Sequence, residues 1–220
     1  MKTLSGDTIV VATKNAGKVR EFAHAFGKLG KQVVSMFDYP NLPEVVEDGT
    51  TFAENARKKA RTVAEALGLP VLADDSGLEA AELGGAPGVY SARYSGEGAT
   101  DARNNAKLLA ELAAVAERRD RAGQGLEQLS DGTKLLSEAR FVCALALYDP
   151  GTGEFVESEG FVSGCIMDSP RGDGGFGYDP LFYLKQQGRG IAELTTEEKQ
   201  AISHRGSALS SLLAKLESGE

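Results

Sequence analysis

Apolar residues run unbroken through Thr8-Ile9-Val10-Val11-Ala12, the pattern of a strand buried on both faces. Val19, Phe22, Ala23 and Phe26 follow at i, i+3, i+4 and i+7, so the chain is expected to open as strand, loop and helix. A second strand is expected over Gln32-Val33-Val34-Ser35-Met36, then a loop from Asn41 to Gly49. Thr51 and Glu54 have capping-box spacing. Phe52, Ala56, Ala60, Val63 and Leu67 then form an apolar stripe that Gly68 and Pro70 terminate. The next strand, Pro70-Val71-Leu72-Ala73, is expected to end at Asp74-Asp75. This alternation of β and α segments predicts an α/β fold.

Further along, the glycine-rich run Leu83 to Gly88 precedes Tyr90-Ser91-Ala92-Arg93-Tyr94, expected as a loop over a cleft. Thr100 to about Ala116 reads as a helix with Leu108, Leu109, Leu112 and Val115 on one side. The polar stretch at about 117–137 reads as a solvated insertion or long connection without chemistry. Arg140 to Tyr148 is the strongest strand. The turn Asp149-Pro150-Gly151-Thr152-Gly153 returns it as Glu154 to Gly164, an expected antiparallel hairpin. A loop from Ser169 to Asp179 leads to the short apolar run Leu181 to Leu184. A last helical region spans about Thr195 to Leu216, with Thr195 and Glu198 spaced as a cap. No repeat and no clean linker divides residues 1–220, so one large domain is expected.

Composition narrows the function classes. The net charge of −8 disfavours general binding to a nucleic-acid backbone, which depends on basic surface. A few lysines converging in one place can still hold a small polyphosphate, because the local field dominates at short range. No apolar run is long enough to cross a bilayer and the opening residues lack a signal-peptide core, so a cytoplasmic setting is expected. The two cysteines, Cys143 and Cys165, lie in β-like apolar stretches and read as small core residues. With only two histidines, His24 and His204, far apart in sequence, a catalytic metal should be a hard ion held by oxygens; Mg2+ fits.

Chemistry is concentrated in a few segments. Asp74 and Asp75 repel one another and lose solvation if buried, so a cation, a proton or hydrogen-bond donors must compensate them; a solvated Asp-Ser-Gly turn is the alternative. Thr13-Lys14-Asn15-Ala16-Gly17-Lys18 sits between a strand and a helix, where backbone N–H groups can meet phosphate oxygens. Its spacing is not that of a Walker A loop, and a capped helix start with solvated lysines is the other reading. Lys59 on a helix and Glu47 in a loop are ordinary surface residues taken singly. Gly174-Gly175-Phe176-Gly177-Tyr178-Asp179-Pro180 can lay an aromatic ring against a heterocyclic base, or Phe176 can plug a core. Ser203-His204-Arg205-Gly206 offers donors to a carbonyl-bearing base edge, or a plain surface pair.

Jointly these segments resemble the non-canonical purine nucleoside triphosphate pyrophosphatase family, the inosine triphosphatases. The carriers are Thr13 to Lys18, Phe52-Ala53-Glu54-Asn55-Ala56, Ala73-Asp74-Asp75-Ser76-Gly77-Leu78, Gly84 to Tyr94, Gly174 to Pro180 and Ser203 to Gly206, in that order. The resemblance covers nearly the whole chain outside 117–137. It implies a bent mixed β-sheet flanked by helices, in two lobes with the nucleotide cleft between them. It implies hydrolysis of ITP, dITP and XTP to the monophosphate and pyrophosphate, with Mg2+ as cofactor and a homodimer as assembly. By the same resemblance Asp75 is metal ligand and proton acceptor, with Asp74 beside it. Thr13, Lys14, Asn15, Ala16, Gly17, Lys18 and Ser76 contact substrate. Phe176, Gly177, Tyr178, Asp179, Lys199, His204 and Arg205 complete the nucleotide site, with Glu47 as second metal contact and Lys59 as phosphate contact. Lys14 departs from the smaller residue common in relatives. A Maf-type pyrophosphatase is the related alternative, although its Ser-x-Ser-Pro-Arg-Arg start is absent; a catalytically silent nucleotide-binding protein is the alternative from another class.

Overall fold

The structure is a computed structural model that describes residue 4 and residues 6–13 and 16–219. Strands β1 (Thr8–Val11), β2 (Gln32–Ser35), β3 (Val71–Ala80), β4 (Glu127–Gln128), β5 (Lys134–Asp149), β6 (Glu154–Met167), β7 (Phe182–Leu184) and β8 (Arg189–Gly190) form one mixed sheet. Its hydrogen-bonded order is β2-β1-β3-β5-β6-β7-β8, with β4 paired to β5. Helices are α1 (Ala16–Gly27), α2 (Phe52–Leu67), α3 (Asp101–Arg121), α4 (Thr196–Ala201) and α5 (His204–Ser218). The mixed α/β class expected from the alternation is the class observed. The chain forms two compact units: Met1–Asp75 with Cys143–Gly160 and Ser207–Glu220, and Ser76–Val142 with Phe161–Gly206.

In the first unit β1 pairs in parallel with both β2 and β3, with Val10 opposite Val71 and Val11 opposite Leu72. The chain runs outward from β1 through α1 to β2, then back through α2 to β3. Right-handed crossovers of opposite direction place the two helices on opposite faces and make the gap between β1 and β3 a topological switch point. Strand alternation agrees: Ile9, Val11 and Leu72 face Phe22 and Phe26 of α1 and Leu209, Leu212 and Leu216 of α5 in one core. The α2 ends are those foreseen. Thr51 Oγ1 accepts from Glu54 N at 3.1 Å, Glu54 returns a carboxylate to Thr51 N at 3.2 Å, and Gly68 closes the helix at φ 67°.

The second unit has its own core, with Leu78 and Ala80 of β3, Leu108 and Leu112 of α3, Leu136 and Phe141 of β5, Ile166 of β6, and Leu181, Phe182 and Ile191. β6, β7 and β8 pair antiparallel there. Three expectations change. β3 does not stop at Asp74-Asp75 but continues to Ala80, because Leu78 and Ala80 are buried and Ser91 Oγ accepts from Leu78 N at 2.9 Å. The polar stretch at 117–137 is substantially structured: α3 extends to Arg121, and β4 pairs Glu127 with Leu135 and Gln128 with Lys134. Leu135 and Leu136 are buried, which draws the start of β5 into the sheet six residues before Arg140. The last helical region breaks between α4 and α5, where Ser203 Oγ accepts from Gly206 N at 2.9 Å and starts a new helix at His204. The Thr195 and Glu198 cap forms as expected.

Candidate active site

The acidic pair occupies the switch point of the first unit. β1 ends at Val11, opposite Leu72, while β3 runs on, so Asp74 and Asp75 stand beyond the carboxyl end of β1 beside the buried Thr13. Alternation sends the two carboxylates to opposite faces. Asp74 shares the face of Leu72 and meets α1, where Lys18, one turn before Phe22, places Nζ 2.5 Å from Asp74 Oδ2. Asp74 is 4% exposed, so Lys18 neutralises a carboxylate that has lost its water. Asp75 meets α2, where Asn55 Nδ2 donates to its Oδ2 at 3.0 Å. One turn later Lys59 Nζ lies 2.6 Å from Glu47 Oε1 and donates to the Asp74 carbonyl at 3.0 Å.

Burial pushes the Asp75 carboxyl up to about 6; the Asn55 hydrogen bond and Lys59 pull it down, and the neighbouring charges of Glu47 and Asp74 push it up. A carboxylate so placed gains from a cation. Glu47 and Asp75 carry hard oxygen donors of the kind Mg2+ takes, whereas Asp74 faces Lys18 on the other side of the strand. Among the described residues no group of three or more His, Cys, Asp or Glu side chains is placed to hold a metal ion.

Of the segment expected to contact phosphate, Lys14 and Asn15 lie outside the described residues. Ala16, Gly17 and Lys18 form the first turn of α1, whose N-terminal amides suit an anion. Ser76 follows Asp75 directly in β3 and begins the second unit.

In the second unit, Asp179 organises the glycine-rich loop. Its Oδ2 accepts from Phe176 N at 2.8 Å and from Lys199 Nζ at 2.5 Å, and Lys199 Nζ lies 4.9 Å from the centre of the Phe176 ring. Phe176 is 62% exposed, so it is a presented ring and not a core plug. Gly177 is gripped by α3: its N–H donates to Asp101 Oδ2 at 2.7 Å, and its carbonyl accepts from Asn105 Nδ2 at 2.9 Å. Tyr178 is buried and donates to Ser91 O at 2.8 Å, which makes it a support for the loop. His204 stacks on Phe141 with ring centres 5.4 Å apart, and Arg205 follows it in the first turn of α5.

Sequence reasoning gave no role to Asn55, Asp101 or Asn105. Asn55 had a usable signal, a carboxamide four residues before Lys59 and beside the apolar stripe of α2. Asp101 and Asn105 had none, since their partner Gly177 lies more than seventy residues away.

Comparison with known proteins bears on the family. The profile of the Ham1 family matches residues 9–124 and 115–215. A dITP/XTP pyrophosphatase of Geobacillus kaustophilus is 52% identical over 93% of this chain and 91% of its own length. A protein of the same description from Streptococcus pyogenes serotype M18 is 48% identical over 94% of this chain, which spans 58% of that longer relative. Among solved structures, a HAM1 protein from Coxiella burnetii superposes with a TM-score of 0.83 at 39% identity, covering 96% of this chain and 98% of that one.

Proposed function

The chain belongs to the Ham1 family, and from that premise we propose that it hydrolyses the triphosphates of deaminated purines, dITP, ITP and XTP, to the monophosphate and pyrophosphate. Such an activity removes miscoding precursors from the nucleotide pool. The observation that carries the assignment is the partly buried Lys18–Asp74 ion pair at the β1/β3 switch point, with Asp75, Lys59 and Glu47 beside it.

Asp75 is the proton acceptor for the water that attacks the α-phosphorus. Its carboxyl, raised by burial to about 6, is a stronger base than an exposed aspartate yet remains ionised at neutral pH. Lys18 and Lys59 neutralise charge that grows on the departing pyrophosphate. Asp75 and Glu47 would hold Mg2+, which when bound polarises phosphate oxygens and shields their charge. In the second unit Phe176 offers a face to the base, and Asp179 and Lys199 fix that ring. His204 and Arg205 present donors that accept a 6-keto purine and oppose the 6-amino group of adenine, a mismatch worth about 1–3 kcal/mol when buried. A homodimer, supported by the family resemblance, and a cytoplasmic setting, supported by the sparse cysteine usage, are further parts of the proposal.

The test is a panel of ITP, dITP, XTP, GTP, ATP and dTTP scored for pyrophosphate against orthophosphate. Pyrophosphate released from ITP, dITP and XTP, with ATP at least about tenfold slower, is the expected result. Equal turnover of ATP and ITP, or release of orthophosphate, would overturn it. Asp75→Asn should fold, bind nucleotide and lose turnover.

A further inference from the structure

We infer that Asn55 is a positioning residue that sets the Asp75 carboxylate against the Glu47 segment, an inference that rests on the proposed role of those two carboxylates. Asn55 is fully buried in the first turn of α2, four residues after the Thr51 cap, where a carboxamide without solvent needs partners of its own. Its carboxamide is used at both ends: Oδ1 accepts from Gly49 N at 2.8 Å, and Nδ2 donates to Asp75 Oδ2 at 3.0 Å. The amide has one workable orientation. Reversed, it would set oxygen against carboxylate oxygen and NH2 against N–H.

The fit extends to the loop. A Cβ on Gly49 would lie 2.7 Å from Asn55 Oδ1 and 2.9 Å from Glu54 Cβ, so the backbone there approaches α2 as closely as a glycine permits. One helical turn on, Lys59 joins Glu47 to the Asp74 carbonyl. Helix α2 therefore carries two successive links, and each joins the 47–49 segment to the 74–75 pair. Lys59 carries charge and suits phosphate; Asn55 has no exposed surface, no charge and no titrating proton. It can orient Asp75 but cannot touch substrate. Groups that orient a metal-binding carboxylate are typically worth 10- to 100-fold in metal affinity or turnover.

The alternative role is a staple that holds Gly49 to the helix and does nothing for Asp75. Asn55→Asp separates the two, because it keeps the shape and the acceptor for Gly49 N–H but turns an oxygen toward Asp75. Asn55→Ala removes both links. We expect Asn55→Asp to fold but to melt below the parent, because its added carboxyl is buried against Asp75, and to lose about 10- to 100-fold in kcat for ITP at saturating Mg2+ under conditions where it is folded, with KM within about threefold. We expect Asn55→Ala to bind Mn2+, followed by electron paramagnetic resonance of the free ion, about tenfold more weakly than the parent. A kcat for Asn55→Asp within about twofold of the parent overturns the inference and leaves the staple. Parental Mn2+ affinity in Asn55→Ala, or no Mn2+ binding by the parent protein, overturns it as well. Should Asn55→Ala fail to fold, the kcat of Asn55→Asp decides. The Mn2+ titration needs no nucleotide, so a parent protein that leaves ITP intact refutes the proposed function while the titration still judges Asn55.

Discussion

At the scale of single residues, Asp75 holds the clearest conflict between stability and chemistry. Its carboxyl is raised by burial to about 6, against about 4 in an unfolded chain, so the fold favours the protonated form. That contribution is complete below about pH 4 and is lost as pH rises through 6. In chelator, Asp75→Asn should therefore be more stable than the parent by about 1–3 kcal/mol at pH 8, with the gap closing toward pH 4; urea unfolding at both pH values measures it. A variant no more stable at pH 8 than at pH 4, relative to the parent, would contradict the burial cost. Asp74 differs because Lys18 lies against it at 2.5 Å. Both aspartates were legible in sequence as a site in need of compensation. Their separate partners were not, since Lys18 and Asn55 lie 56 and 20 residues from them in the chain.

At the scale of elements, local rules read well wherever the deciding contacts are near in sequence. The α2 capping box, its Gly68 stop and the Thr195 cap depend on residues within a turn of one another. The length of β3 depends on more. Gly77 lies against the 3-10 turn Gly88–Arg93, and a Cβ there would collide with Ser91 Oγ and come within 2.8 Å of the Gly88 carbonyl. Gly77→Ala should cost about 1–3 kcal/mol in denaturant unfolding. Gly125→Ala, whose Cβ meets open space, should stay within about 0.5 kcal/mol of the parent. Equal effects would show that the close approach does not constrain β3. The extension of β5 into the polar stretch is likewise a tertiary decision, made by burial of Leu135 and Leu136 and pairing with β4.

At the scale of the whole molecule, the charge of −8 predicts no measurable affinity for duplex DNA at about 150 mM salt, where nonspecific binders rely on cationic surface; a fluorescence-anisotropy titration tests this. The proposed homodimer predicts a sedimentation coefficient well above that of a 23.2 kDa monomer at micromolar concentration, and a monomer under those conditions would remove it. Among the described residues no helix is long and apolar enough to cross a membrane. Cys143 and Cys165 are buried, as the small core residues their neighbours suggested. The sequence by itself determined the α/β class, the order of most elements and the segments that carry chemistry, because periodicity, caps and adjacent charges act over a few residues. Only the tertiary structure decided that Asp74 and Asp75 face different helices, that β3 runs past them, and that Asn55 and Asp101 hold groups distant in the chain. Those outcomes follow from strand register and burial, which depend on residues brought together by folding and leave no trace in local spacing.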